Sequence, residues 1–282
     1  MSATPTIGDK KYVNFAYAQY DVWGLRYYNG LFGVYSSFRL IFYRFGDTIN
    51  VFLIQYSKEK YMKKKNLYAI ASAAFGAAFL LLICLLKTVD VKVNPETGTK
   101  IGLYSLNKSV FDVFGVNKVW KTVTGILGYL AILEAVGFAA YGVYLLVKGK
   151  SFKSVNADIY ALAVVYVVLA VLYVFFEKVI INYRPVILDA AKGAEASFPS
   201  SHTMLAITII LCGITELNKL IENKTAKIVI NVISVIVVLV SVIGRLISGV
   251  HWFTDILGGA LISFCLVCAF AAFANREEKT VE

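Results

Sequence analysis

Six long apolar runs order this chain, at about 67–86, 123–147, 159–181, 201–217, 228–247 and 253–273. Roughly 18 consecutive apolar residues are enough to cross a bilayer as a helix. Each run therefore predicts one span, and together they predict an all-α integral membrane fold, a bundle of six transmembrane helices. An even number of spans puts both ends of the bundle on one side of the membrane.

The polar positions between the runs set the orientation. Lys63, Lys64 and Lys65 precede the first run; Lys148, Lys150 and Lys153 form one basic link and Lys219, Lys224 and Lys227 another; Arg276 and Lys279 follow the last run. All fall on one side, which the positive-inside rule assigns to the cytoplasm. The other face carries loop 88–122, with turn signals at Asn94-Pro95 and Thr97-Gly98 and with Lys118 and Lys121 near a span. It also carries three short polar groups in residues 178–255.

Residues 1–61 differ from the rest. They hold 16 of the chain's 40 aromatic residues, with Arg26, Arg39, Arg44 and Asp47 interspersed, and no run long enough to span. Such a segment suits the membrane interface. The expected organisation is an aromatic and basic extension at 1–61, a six-span domain at 62–275 and a cytoplasmic tail at 276–282. The first 20 residues lack the apolar core of a cleavable signal peptide.

Composition supports the membrane reading: 59% of residues are hydrophobic, against roughly 45–50% in soluble domains. The net charge of +10 would suggest nucleic acid in a soluble protein. Here the lysines flank apolar runs, which fits anionic lipid, and no nucleic-acid partner is expected. The four cysteines, Cys84, Cys212, Cys265 and Cys268, all lie in apolar runs. Cys265 and Cys268 have CxxC spacing without a nearby His or second pair, so they read as packing residues rather than a zinc site. Glu134 lies inside the second run, facing a helix partner or a cavity.

The chemistry concentrates in the three polar groups: Lys178 with Arg184-Pro185, then Pro199-Ser200-Ser201-His202, then Arg245 with His251 and Asp255. Both histidines of the chain fall here. Lys178, Arg184 and Arg245 are cations without a matching cluster of carboxylates, and guanidinium forks suit phosphate oxygens. A lone cation at a helix end usually snorkels to the interface; three on one face with both histidines are a different case. Pro199 and Ser200 suit a helix start, whose free N–H groups also bind anions. His251 and Asp255 stand four apart, so on a helix the carboxylate can accept the Nδ1 proton and leave Nε2 free to attack. His202 can then protonate the leaving oxygen. The set makes a phosphomonoesterase-type site that needs no metal.

These residues resemble the three-part signature of the type 2 phosphatidic acid phosphatase superfamily: K-x6-R-P, P-S-G-H and S-R-x5-H-x3-D. The chain has Lys178-x5-Arg184-Pro185, Pro199-Ser200-Ser201-His202 and Gly244-Arg245-x5-His251-x3-Asp255, and the resemblance covers about 67–273. It implies a phosphohistidine on His251, oriented by Asp255, with His202 as general acid. Lys178, Arg184, Ser200, Ser201 and Arg245 would hold the phosphate, with no cofactor or metal. Three departures stand out. The Lys178 spacing is one residue short, a turn of roughly 100° on a helix. Ser201 replaces Gly, and Gly244 replaces the Ser before Arg245.

The expected function is a lipid phosphatase in the cell membrane, acting at the extracytoplasmic face on a phosphomonoester or diphosphate. Among the substrates the family offers, undecaprenyl diphosphate is the first choice; phosphatidylglycerol phosphate and phosphatidic acid are the alternatives. Two readings compete from other classes: an inactive lipid-phosphate-binding relative, and a transporter. A transporter predicts polar residues along the midplane and often internal repeats, whereas the sequence shows Glu134 and no repeat.

Overall fold

The computed structural model describes residues 64–274; the expected extension at 1–61 and tail at 276–282 lie outside them. The chain runs α1 (Lys64–Thr88), a hairpin of β1 (Lys92–Val93) and β2 (Lys100–Ile101), α2 (Tyr104–Phe114) and α3 (Lys118–Gly149). A 3-10 turn (Phe152–Ser154) leads to α4 (Ala157–Lys178), α5 (Ser201–Leu220), α6 (Lys224–Ile247) and α7 (Phe253–Ala274). Six of these helices, α1 and α3 to α7, are long and apolar enough to cross a membrane. The six expected spans are all present, with ends shifted by a few residues.

Helix α5 is the axis of the bundle. More than half of its span is buried, against 11–39% for the others, and it packs on α3, α4, α6 and α7. Its apolar residues therefore face inward on nearly every side: Met204, Ala206, Ile207, Ile209, Ile210 and Cys212 are all buried. Helix α1 lies against α7. Helices α3 and α4 meet only sparsely, which leaves a groove between them.

Loop 88–117 has more structure than its turn signals indicated. Asn94 and Gly98 close the hairpin through Gly98 N–H to Asn94 O at 2.8 Å, with Gly98 at φ +68°. Asparagines then fasten the loop to the connection before α5 and to the start of α7. Asn94 donates to Pro185 O at 2.9 Å, and Asn182 accepts from Gly102 N at 3.1 Å. Asn107, fully buried, donates to Gly102 O and Thr254 Oγ1 and accepts from Thr254 N. A buried amide with every bond made fixes its neighbours rigidly, so the start of α7 is anchored from across the loop.

Glu134 packs from α3 against α5, where a Cβ at Gly213 would come within 1.8 Å of its Oε1. It faces a helix partner and is not among the residues lining the cavity that holds His202 and His251. The four cysteines are free.

Candidate active site

Two connections carry the polar groups. The first, between α4 and α5, folds back on itself: Arg184 N–H donates to Glu195 O and Ser197 N–H to Asn182 O, both at 3.0 Å. The second is the short turn between α6 and α7. Trp252, 1% exposed, joins them by donating its indole N–H to Tyr183 O at 2.8 Å. Close approach of the 198–200 segment to α7 depends on missing side chains. A Cβ at Gly258 would lie 2.3 Å from the Phe198 ring, and one at Gly259 would lie 2.9 Å from Ser200 O.

The result is a cavity of about 170 Å³ lined by Tyr173, Glu177, Arg184, Ser201, His202 and His251, with Ser197 to Pro199 as one wall. His251 sits in the connection before α7 rather than on the helix. Its Nδ1 is 3.1 Å from Ser197 O. A carbonyl oxygen can only accept, so Nδ1 carries the proton and Nε2 presents a lone pair. That Nε2 lies 3.2 Å from Arg184 Nη1, which also donates to Val250 O at 3.0 Å. Burial, then the charges of Arg184, Arg245 and His202, hold the His251 imidazole well below its ordinary pKa. It is neutral at neutral pH, with the Nε2 lone pair free.

Asp255 is fully buried and holds His251 less directly than the spacing suggested. Its Oδ2 is 3.5 Å from His251 Nδ1, too long for a good hydrogen bond, and instead accepts from Trp252 N–H at 2.9 Å. Asp255 occupies the third position of α7, so this is the reach-back half of a capping box. The carboxylate fixes the turn that carries His251, while the Ser197 carbonyl accepts the Nδ1–H hydrogen bond.

His202, the second residue of α5, lies against α3: a Cβ at Gly128 would be 3.0 Å from its Cδ2. Ser200 occupies the N-cap position of α5, but its hydroxyl accepts from Thr203 Oγ1 at 3.1 Å and no side chain caps the helix. The first turn of α5, with Ser201 and His202 on the cavity wall, therefore has N–H groups uncommitted to a cap and available to an anion. Ser200 itself is buried behind the wall.

Arg245 is 5% exposed and lies behind the cavity, where its Nη1 donates to Thr124 Oγ1 at 3.1 Å. The Thr124 hydroxyl donates in turn to Trp120 O at 2.8 Å, leaving lone pairs for the guanidinium. This explains Gly244: a Cβ there would meet Trp120 and Thr124 of α3 at 2.7 and 2.9 Å. The hydroxyl partner of Arg245 is thus supplied by another helix. Thr124, like Asn107, sat in the sequence as a lone polar residue with no spacing to mark it.

Lys178 stands apart. Helix α4 runs through it as its last residue, and its side chain is exposed. Glu177, one residue earlier, lines the cavity in its place. Lys178 is not among the residues lining the cavity.

A second, apolar space joins the cavity. Tyr173, Ser201, His202 and Met204 also border a groove of about 710 Å³ between α3 and α4. A further lobe of about 280 Å³ shares Ala135, Ala139, Ala163 and Tyr166 with it and reaches Phe152 and Tyr160 at the other end of the helices.

Residues 135–279 match the PAP2 superfamily. The chain belongs to that superfamily and is a membrane lipid phosphatase. Among solved structures it is similar in fold to one described as the first transmembrane PAP2 type phosphatidylglycerolphosphate phosphatase from Bacillus subtilis. The TM-score is 0.56 at 18% identity, over 74% of this chain and 98% of that one. No curated protein matches the chain.

Proposed function

We propose that this phosphatase hydrolyses a lipid phosphate through a phosphohistidine on His251. The observation that carries the reading is the His251 tautomer: Nδ1–H engaged by Ser197 O, with Nε2 beside Arg184 in the cavity. Nε2 attacks phosphorus, the P–O bond to the lipid breaks, and His202 gives its proton to the leaving oxygen. Water then attacks the phosphohistidine, with His202 taking its proton, and inorganic phosphate leaves. Arg184, Ser201 and the α5 N-terminus hold the phosphate oxygens; Arg245 adds its charge from behind, with Ser200 supporting the wall. These cations stabilise the charge that develops at phosphorus, so the reaction requires no metal.

The groove between α3 and α4 supports an amphiphilic substrate, with its head in the cavity and its tail among apolar side chains. It accommodates undecaprenyl diphosphate, the first expectation from the sequence, as well as phosphatidylglycerol phosphate or phosphatidic acid. The choice among heads falls to the charges inside the cavity. The basic links support a cavity that faces away from the cytoplasm of the cell membrane.

Phosphate release by the purified protein, with EDTA present, from a panel of lipid phosphates and diphosphates tests the reading. Turnover is expected; complete loss with EDTA, restored by Mg²⁺, would overturn the metal-free mechanism. A cysteine placed beside His202 should react with an impermeant thiol reagent in intact cells, and labelling only after permeabilisation would reverse the topology.

A further inference from the structure

The cavity wall holds a carboxylate where the family signature has a cation. Counting the K-x6-R-P spacing back from Arg184 lands on Glu177, and Glu177 lines the cavity while Lys178 does not. Tyr173, one turn earlier on α4, also lines the wall. The opposing cation is itself shared: Arg184 Nε lies 3.4 Å from Glu195, and Arg184 Nη1 donates to Val250 O. The phosphate site therefore has less positive charge than the signature implies, and a carboxylate at its edge.

We propose that Glu177 is a specificity-determining residue. It selects a lipid phosphomonoester with a hydroxyl or ammonium beside the phosphorylated carbon, and it disfavours a diphosphate. The inference rests on the phosphatase reading above. A wall carboxylate accepts a hydrogen bond from a neighbouring hydroxyl or ammonium, and the bond is strengthened by its charge. The same carboxylate repels a second phosphate group, which brings at least one further negative charge into a partly dry site. A substrate without a donor leaves the carboxylate facing phosphate oxygens with nothing between them.

The test uses the purified full chain and four probes: a short-chain phosphatidylglycerol phosphate, sphingosine 1-phosphate, a short-chain phosphatidic acid and farnesyl diphosphate. The first two carry a hydroxyl and an ammonium donor respectively; the last two carry none. Wild type should favour the donor-bearing probes in kcat/KM. In Glu177→Ala the ratio of donor-bearing probe to phosphatidic acid should fall about 10- to 100-fold, the range for losing a charge-assisted contact. Glu177→Lys should raise the ratio of farnesyl diphosphate to phosphatidic acid by about tenfold or more. Equal loss on all four probes, or a wild-type preference for the diphosphate that Glu177→Lys leaves unchanged, would overturn the proposal. Equilibrium binding of the same probes to His251→Ala gives an independent ranking. If wild type releases phosphate from none of the probes, the phosphatase reading fails, and the binding ranking still decides the role of Glu177.

Discussion

Thr124→Val should damage catalysis although Thr124 lies behind the cavity. The substitution keeps the shape of a side chain that is 1% exposed and removes the oxygen accepting from Arg245 Nη1 at 3.1 Å. Arg245 is itself 5% exposed, and its Nε has no hydrogen-bond partner. The variant therefore leaves a buried cation without its hydroxyl acceptor. A hydrogen bond to a charged group is worth about 1.5–3 kcal/mol, or about 10- to 150-fold in rate if the guanidinium must be held in place for the transition state. The assay is kcat/KM on one soluble short-chain lipid phosphate, in wild type, Thr124→Val, Arg245→Ala and the double variant. If Thr124 acts through Arg245, its substitution should cost less than about threefold once Arg245 is gone, since coupled residues are not additive. Full additivity, or a single-variant loss below about threefold, would refute the reasoning.

Three further outcomes follow from the same geometry. Arg184→Ala should lower kcat/KM by about 30- to 1,000-fold, the range for losing a charge-assisted contact in a partly dry site, whereas Lys178→Ala should change it by less than about threefold; equal losses would put Lys178 in the site after all. Gly128→Ala should reduce kcat more than it raises KM, because its Cβ would press on His202 Cδ2 at 3.0 Å; an unchanged kcat would show that His202 is free to shift. Because burial keeps the folded His251 pKa below the ordinary value of about 6.5, the unfolded chain binds a proton that the folded chain refuses as pH drops below that value, and stability should fall there. Ring nitrogen NMR on labelled histidine should still show neutral His251 with Nδ1 protonated at pH 6, and an imidazolium signal above pH 6.5 would contradict this.

Much of the bundle could be read from the sequence because each span is a single uninterrupted apolar run, and length alone marks it. The polar groups were legible for a related reason: cations and histidines at the ends of such runs have few structural uses. What could not be read depends on three-dimensional phase. Whether Glu177 or Lys178 faces the cavity turns on one step of about 100° and on where α4 stops. The Asp255 spacing correctly put the carboxylate next to His251, but the capping interaction with Trp252 N–H claimed its best oxygen. Thr124 and Asn107 act through partners 121 and 147 residues away, and no local pattern carries such pairings. Loop 88–117 hid α2 because an 11-residue helix between turns is too short to stand out as an apolar run.

The most direct test of the account is the chemical fate of the phosphoryl group. Rapid acid-free quenching of the enzyme with a ³²P-labelled lipid phosphate should trap label that is stable in alkali and lost in acid. Peptide mapping should place that label on His251, and His251→Ala should trap none while losing at least about a thousandfold in turnover. Label on any other residue, or turnover by His251→Ala within about tenfold of wild type, would contradict the claim that this imidazole is the nucleophile.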